Sequence, residues 1–164
     1  MATPSPDPDR GPAAGRGAIP DLATLVPVGT RGIIRRTISE SDVYLFAGVT
    51  GDFHYNHVDA ARMASSAYGE RIAHGALVLG LMSAASTQMT EPLPVHAVSA
   101  GYDRVRFLAA VPIGSTIEAT CEVVGLEPDR DRSRSEARAW RQDGELVAYA
   151  VHIHRYFPLA GTSE

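Results

Sequence analysis

The chain has one cysteine, one tryptophan and no long hydrophobic run among its 164 residues. Each scarcity excludes something. A lone thiol, Cys121, closes no internal disulfide, so a disulfide scaffold is excluded and a reducing, cytoplasmic setting is expected. The longest strongly apolar run, Ala76 to Ala85, falls well short of the roughly 20 residues a membrane-spanning helix needs, and the N-terminus lacks the apolar centre of a secretory signal. No membrane partner is therefore expected. Cations are not in excess: 15 Lys and Arg against 19 Asp and Glu leave a net charge of −4, which is not the footprint of a nucleic-acid binder. A glycine-rich phosphate loop, a dinucleotide fingerprint and a G-x-S-x-G elbow are also missing, so nothing points to a redox cofactor or a covalent serine.

What is present is ordinary globular usage, 45% hydrophobic and 21% charged, at about one domain's length. Residues 1–20 hold five of the 11 prolines and no aromatic residue, too little to offset the entropy of ordering, and are expected to form a flexible tail. Residues 21–159 are then the domain, and 160–164 a short C-terminal tail.

The domain reads as a helical half and a strand half. Ser39, with Asp42 at the capping-box position, predicts a short helix through Val43, Phe46 and Ala47 that Thr50-Gly51 breaks. Asp59 predicts a cap for a second helix, Ala60 to Tyr68. A third runs from Gly75 to about Met89, apolar nearly all round, and so is expected to be wrapped by other structure. Period-two alternation predicts strands at 116–124, 134–139 and 147–154, and two more are expected at 31–37 and 95–107. Turns fall at Pro112-Ile113-Gly114, Asp129-Arg130-Asp131 and Asp143-Gly144. The expected class is α+β: one curved antiparallel sheet around a central helix.

The densest polar cluster is Gly51-Asp52-Phe53-His54-Tyr55-Asn56-His57-Val58-Asp59, followed by Ile72-Ala73-His74-Gly75 at the entry to the apolar helix. Asp52 and His57, five apart, do not match helical spacing, so a loop is expected to bring them together. Converging on one water, they make an acid–base pair. Gly75, at a helix N-terminus and without a Cβ, offers an amide to a developing oxyanion. Asp52, His54, His57 and Asp59 also contain the atoms of a metal site, but no cysteine joins them and their spacing matches no metal motif, so no metal is expected. His152 and His154 share a strand face and are expected at the surface or an interface. Arg130, Arg132, Arg134, Arg138 and Arg141, interleaved with acids, read as a solvated hairpin.

The segment Gly51-Asp52-Phe53-x-x-x-His57-x-Asp59, joined to Ile72-Ala73-His74-Gly75, resembles the MaoC-like, type-2 (R)-specific enoyl-CoA hydratases of the hotdog fold. Arg104-Val105-Arg106-Phe107 and Val111-Pro112-Ile113-Gly114 resemble that family's later strand and turn. The resemblance implies a hotdog domain with short overhanging helices, a homodimer, and Asp52, His57 and Gly75 as catalytic groups. It places Ser83 at a small polar position near the pair; His54 and Tyr55, between the pair in the sequence, and His74, next to Gly75, are expected in substrate binding or support. His54-Tyr55 stands where the family commonly has Asn-Pro. The implied reaction is reversible hydration of a trans-2-enoyl thioester to an (R)-3-hydroxyacyl thioester. Asp52 is then expected as base and His57 as proton donor. No cofactor is implied beyond the substrate's carrier, which is coenzyme A or the phosphopantetheine of an acyl carrier protein. The alternatives are a hotdog thioesterase and a non-catalytic acyl-thioester-binding subunit of a heterodimer.

Overall fold

The alternating stretches form five strands: β1 (Arg31–Thr37), β2 (His96–Phe107), β3 (Thr116–Glu127), β4 (Arg132–Arg141) and β5 (Leu146–Phe157). They make one antiparallel sheet in the order β1-β3-β4-β5-β2, with β1 and β2 at its edges. The structure, a computed structural model, describes residues 19–159; residues 1–18 of the tail expected at 1–20, and the tail expected at 160–164, lie outside the described residues. Ile19 already belongs to the fold, ahead of the expected boundary: it is buried, and its amide donates to Asp131 Oδ1 at 2.9 Å.

One face of the sheet carries α5 (Gly75–Thr90), and that face is lined with small side chains because a helix lying on a sheet needs room. Gly32, Cys121, Ala137 and Ala150 align across four strands in one row, and Ile34, Ala119, Ala139 and Ala148 in the next. At Gly32 a methyl group would run into the Ala85 carbonyl oxygen and the Met89 amide of α5, so only glycine admits this approach. Towards the other end of the face the rows turn polar: Val123, Ser135, His152 and Tyr102, then Ser133, His154 and Ser99. This corrects the expectation for His152 and His154. They share the helix-facing side with Ala148 and Ala150 and are 1% and 3% exposed.

The expected helix after Ser39 is α2 (Glu40–Thr50), and its capping box is complete: Ser39 Oγ accepts from the Asp42 amide at 3.2 Å, and Asp42 Oδ2 from the Ser39 amide at 2.8 Å. Asp59 caps α4 (Ala60–Ala64), which stops short of Tyr68. Ser66 ends it, because its hydroxyl donates to the Met63 carbonyl and accepts the Tyr68 amide, offering the backbone an alternative to the helix. Two single-turn helices were not expected, α1 (Leu22–Leu25) and α3 (Tyr55–Val58). α5 is not wrapped all round either: its outer flank, Ala76, Gly80 and Ala84, is exposed. The hairpin arginines are less solvated than expected. Arg132 is buried, and Arg134 pairs with Asp103 at 2.9 Å and Glu127 at 3.3 Å.

Candidate active site

The site forms where the segment after α2 meets the N-terminus of α5. Gly51, in a left-handed conformation (φ 79°), ends α2 and releases Asp52 into the loop. Asp52 Oδ1 accepts the His54 amide at 3.2 Å, closing an Asx turn that leads into α3. His57 therefore sits on a helical turn rather than in the loop expected for it. The His54 ring accepts the Asn56 amide at that turn's start, so His54 works as its cap.

His57 is buried, and its Nδ1 lies 2.7 Å from the Ile72 carbonyl oxygen. A carbonyl only accepts, so Nδ1 carries the proton and the neutral ring leaves Nε2 bare. Burial holds His57 below the usual imidazole pKa of 6.5, with nearby His74 acting the same way and the Ile72 carbonyl and Asp52 opposing. The ring stacks on His74, centroids 3.7 Å apart and planes at 27°. His74 Nε2 in turn donates to the Asp52 backbone carbonyl at 3.0 Å, tying the loop to the helix entry, and Phe46 of α2 covers it from behind at 4.8 Å. Side-chain ligand atoms of Asp52, His57 and His74 all lie within 4.8 Å of one another. The structure thus gathers a different trio from the Asp52, His54, His57 and Asp59 weighed as a metal set: His54 and Asp59 are engaged as caps.

Gly75 is the first residue of α5, and its amide is among those without an intrahelical acceptor. A Cβ there would lie 2.9 Å from the Phe107 ring, so the glycine is required by β2 as well as by any approaching oxygen. A cavity of about 270 Å³ opens beside His57 and Gly75, lined also by Ile72, Val78, Phe107 and Val147. An apolar groove of about 300 Å³ lies on the opposite flank of α5, between Leu77, Leu81 and α2.

The remaining expected residues lie further out. Ser83 is two helical turns beyond Gly75. Tyr55 points to Arg62, whose guanidinium sits 3.5 Å above its ring, and packs on His54 at 4.1 Å. Sequence reasoning missed Ile72 and Phe107 as parts of the site. Phe107 stood in a quoted motif, but alternation marked it only as a strand residue.

Fold and site together define a hotdog domain with Asp52 and His57 gathered at the entry of its central helix. The chain belongs to the MaoC like domain family, whose model matches residues 28–143. Over 92 residues it is 42% identical to the 3-hydroxyacyl-thioester dehydratase Z of Mycobacterium tuberculosis, an alignment covering 56% of this chain and 61% of that protein. It thus spans under two thirds of that relative's length. Over 103 residues it is 37% identical to the (R)-specific enoyl-CoA hydratase of Rhodospirillum rubrum, covering 62% and 69%. Among solved structures, the R-hydratase of Pseudomonas aeruginosa matches with a TM-score of 0.69 and 33% identity, over 87% of this chain and 93% of that one.

Proposed function

We propose that this chain reversibly hydrates a trans-2-enoyl thioester to an (R)-3-hydroxyacyl thioester, carried by coenzyme A or by the phosphopantetheine of an acyl carrier protein. The observation that carries the reading is His57, tied at Nδ1 to the Ile72 carbonyl and gathered with Asp52 at the entry of α5. The thioester oxygen sits at the Gly75 amide. Water is held between the Asp52 carboxylate and His57 Nε2. As its oxygen attacks C3, its proton passes to Nε2, and charge builds on the thioester oxygen, where the amide and the helix dipole stabilise it. The imidazolium then returns a proton to C2, and Asp52 stabilises that cation. The tautomer favours this over the expected split of roles: a neutral ring with Nδ1–H on Ile72 has no Nε2 proton to give until it has taken one.

No metal or redox group enters this sequence. His57 Nδ1 and His74 Nε2 are each tied to a backbone carbonyl, and the two rings stack on one another. A homodimer is supported by three features: β2 is an edge strand, the outer flank of α5 is exposed, and the site cavity is smaller than the roughly 300–1,000 Å³ of complete ligand pockets. A solution mass of one chain at micromolar concentration would refute it. Cys121 is fully buried, with its thiol pushed up to about 12 by that burial, which suits a structural role. No helix among the described residues is long and apolar enough to cross a membrane.

The test follows enoyl consumption, 3-hydroxyacyl product and free thiol together. Asp52→Asn and His57→Ala are each expected to lower hydration by about 10² to 10⁴-fold without unfolding the chain. Exhaustive chelation should leave the rate unchanged. Thiol release without 3-hydroxyacyl product would make the chain a thioesterase, and neither product would leave a binding subunit.

A further inference from the structure

The seam between α5 and β2 leads from the catalytic cavity to a second, wholly different environment. At its start Phe107 of β2 covers Gly75 of α5. Further on, the Tyr102 hydroxyl faces Ser83. Two rulers give the distance between these points. Gly75 to Ser83 is eight helical residues, about 12 Å. Ala148, beside Phe107, to His152, beside Tyr102, is four strand residues, about 13 Å. Leu79, Ser83 and Tyr102 along the seam are half-buried, and Ser99 at its end is exposed.

What waits there is polar and unsatisfied. Tyr102 stacks on His152 at 3.9 Å, and His152 on His154 at 3.8 Å. His152 Nε2 meets Ser99 Oγ at 2.8 Å, but its Nδ1 and both ring nitrogens of His154 are buried without a hydrogen-bond partner. Buried polar groups are ordinarily paired, and three bare ring nitrogens in one patch call for a partner. Burial keeps both histidines neutral, so the patch presents matched donors and acceptors but no charge.

We propose that this patch is the far end of the acyl subsite, and that the substrate's chain carries a neutral hydrogen-bonding substituent, a hydroxyl, at that depth. The inference rests on the hydratase reading for the position of the thioester. An extended decanoyl chain spans about the length of the seam, so its terminal carbon reaches Tyr102 and His152. A hydroxyl there both donates and accepts, as the bare ring nitrogens require, whereas a carboxylate would bring a charge into a site that excludes one.

The experiment is calorimetric binding of saturated pantetheine thioesters, which the chain cannot hydrate, to the full-length protein. The probes are decanoyl, ω-hydroxydecanoyl and ω-carboxynonanoyl. The hydroxylated probe is expected to bind about tenfold tighter than decanoyl, the size of one neutral hydrogen bond, and the carboxylated one more weakly than either. Tyr102→Phe, which keeps the ring, and His154→Leu should each bring the hydroxyl preference towards unity; should His154→Leu fail to fold, Tyr102→Phe decides. Equal binding of decanoyl and its hydroxylated form would mean that water alone fills the patch, and a preference that survives Tyr102→Phe would place the hydroxyl elsewhere. Either overturns the proposal, as does absence of binding by all three probes. A chain that hydrates no enoyl thioester yet keeps the preference would retain the subsite and lose the proposed reaction.

Discussion

His57 is tied at one nitrogen and bare at the other, and this governs how its chemistry should respond to pH. Only the neutral ring can take the proton from water. Because burial holds its pKa below the ordinary 6.5, the neutral form persists as pH falls past that value. The acidic limb of kcat/KM, which reports the free enzyme, should therefore have its midpoint below pH 6.5. A midpoint above 6.5 would contradict the desolvated environment assigned to the ring. The sequence placed Asp52, His57 and Gly75 as the chemical centre, because those residue types occur together at a helix entry. It could not disclose the Ile72 carbonyl that selects the tautomer. A backbone acceptor is supplied by any residue type and is set by tertiary contact alone.

At the scale of elements, the strands were legible because alternation and turn chemistry are local, and so was α2, whose capping box is written in Ser39 and Asp42. α3 was not: a four-residue helix has too few turns to show a period. Alternation also separates the two faces of β5 without saying which is inside. The larger apolar set, Val147, Tyr149, Val151 and Ile153, looks like the core, yet the helix demands space and selects Ala148 and Ala150. His152 and His154 follow them by parity. The same demand predicts opposite outcomes for one substitution at two glycines. Gly32→Ala drives a methyl into the backbone of α5, which cannot swing aside, and should cost about 3 kcal/mol, or about 6 to 12 °C in melting temperature. Gly48→Ala, exposed on α2 with nothing within 4 Å of the new methyl, should stabilise by about 0.5 to 1 kcal/mol. Thermal unfolding of both variants checks this; an unchanged midpoint for Gly32→Ala would mean that β1 and α5 do not touch there.

For the whole molecule, the buried histidine pair makes stability depend on acid. Burial depresses His152 to about 3, with the neighbouring His154 adding to the effect, and depresses His154 to about 4. In the unfolded chain both titrate near 6.5. Above 6.5 neither state binds these protons, and the pair contributes no pH dependence. Below it the unfolded state takes up two protons that the folded state refuses, so stability falls with pH at up to about 3 kcal/mol per unit until His154 itself begins to titrate near pH 4. A domain with a typical reserve of about 5–15 kcal/mol loses much of it across that window. Urea midpoints should thus be flat between pH 8 and 7 and decline steeply from 6 to 4.5, with the slope roughly halved in His154→Leu. His57, also depressed by burial, leaves a residual slope of the same sign in that variant. The exposed ion pairs add little to this decline, because carboxylates held by arginine, such as Asp143 beside Arg141, begin to lose their stabilisation only as pH falls to the ordinary carboxylate pKa and lose it fully below that. A urea midpoint that stays level down to pH 4.5 would mean that His152 and His154 charge in the folded state, against the burial that holds them neutral.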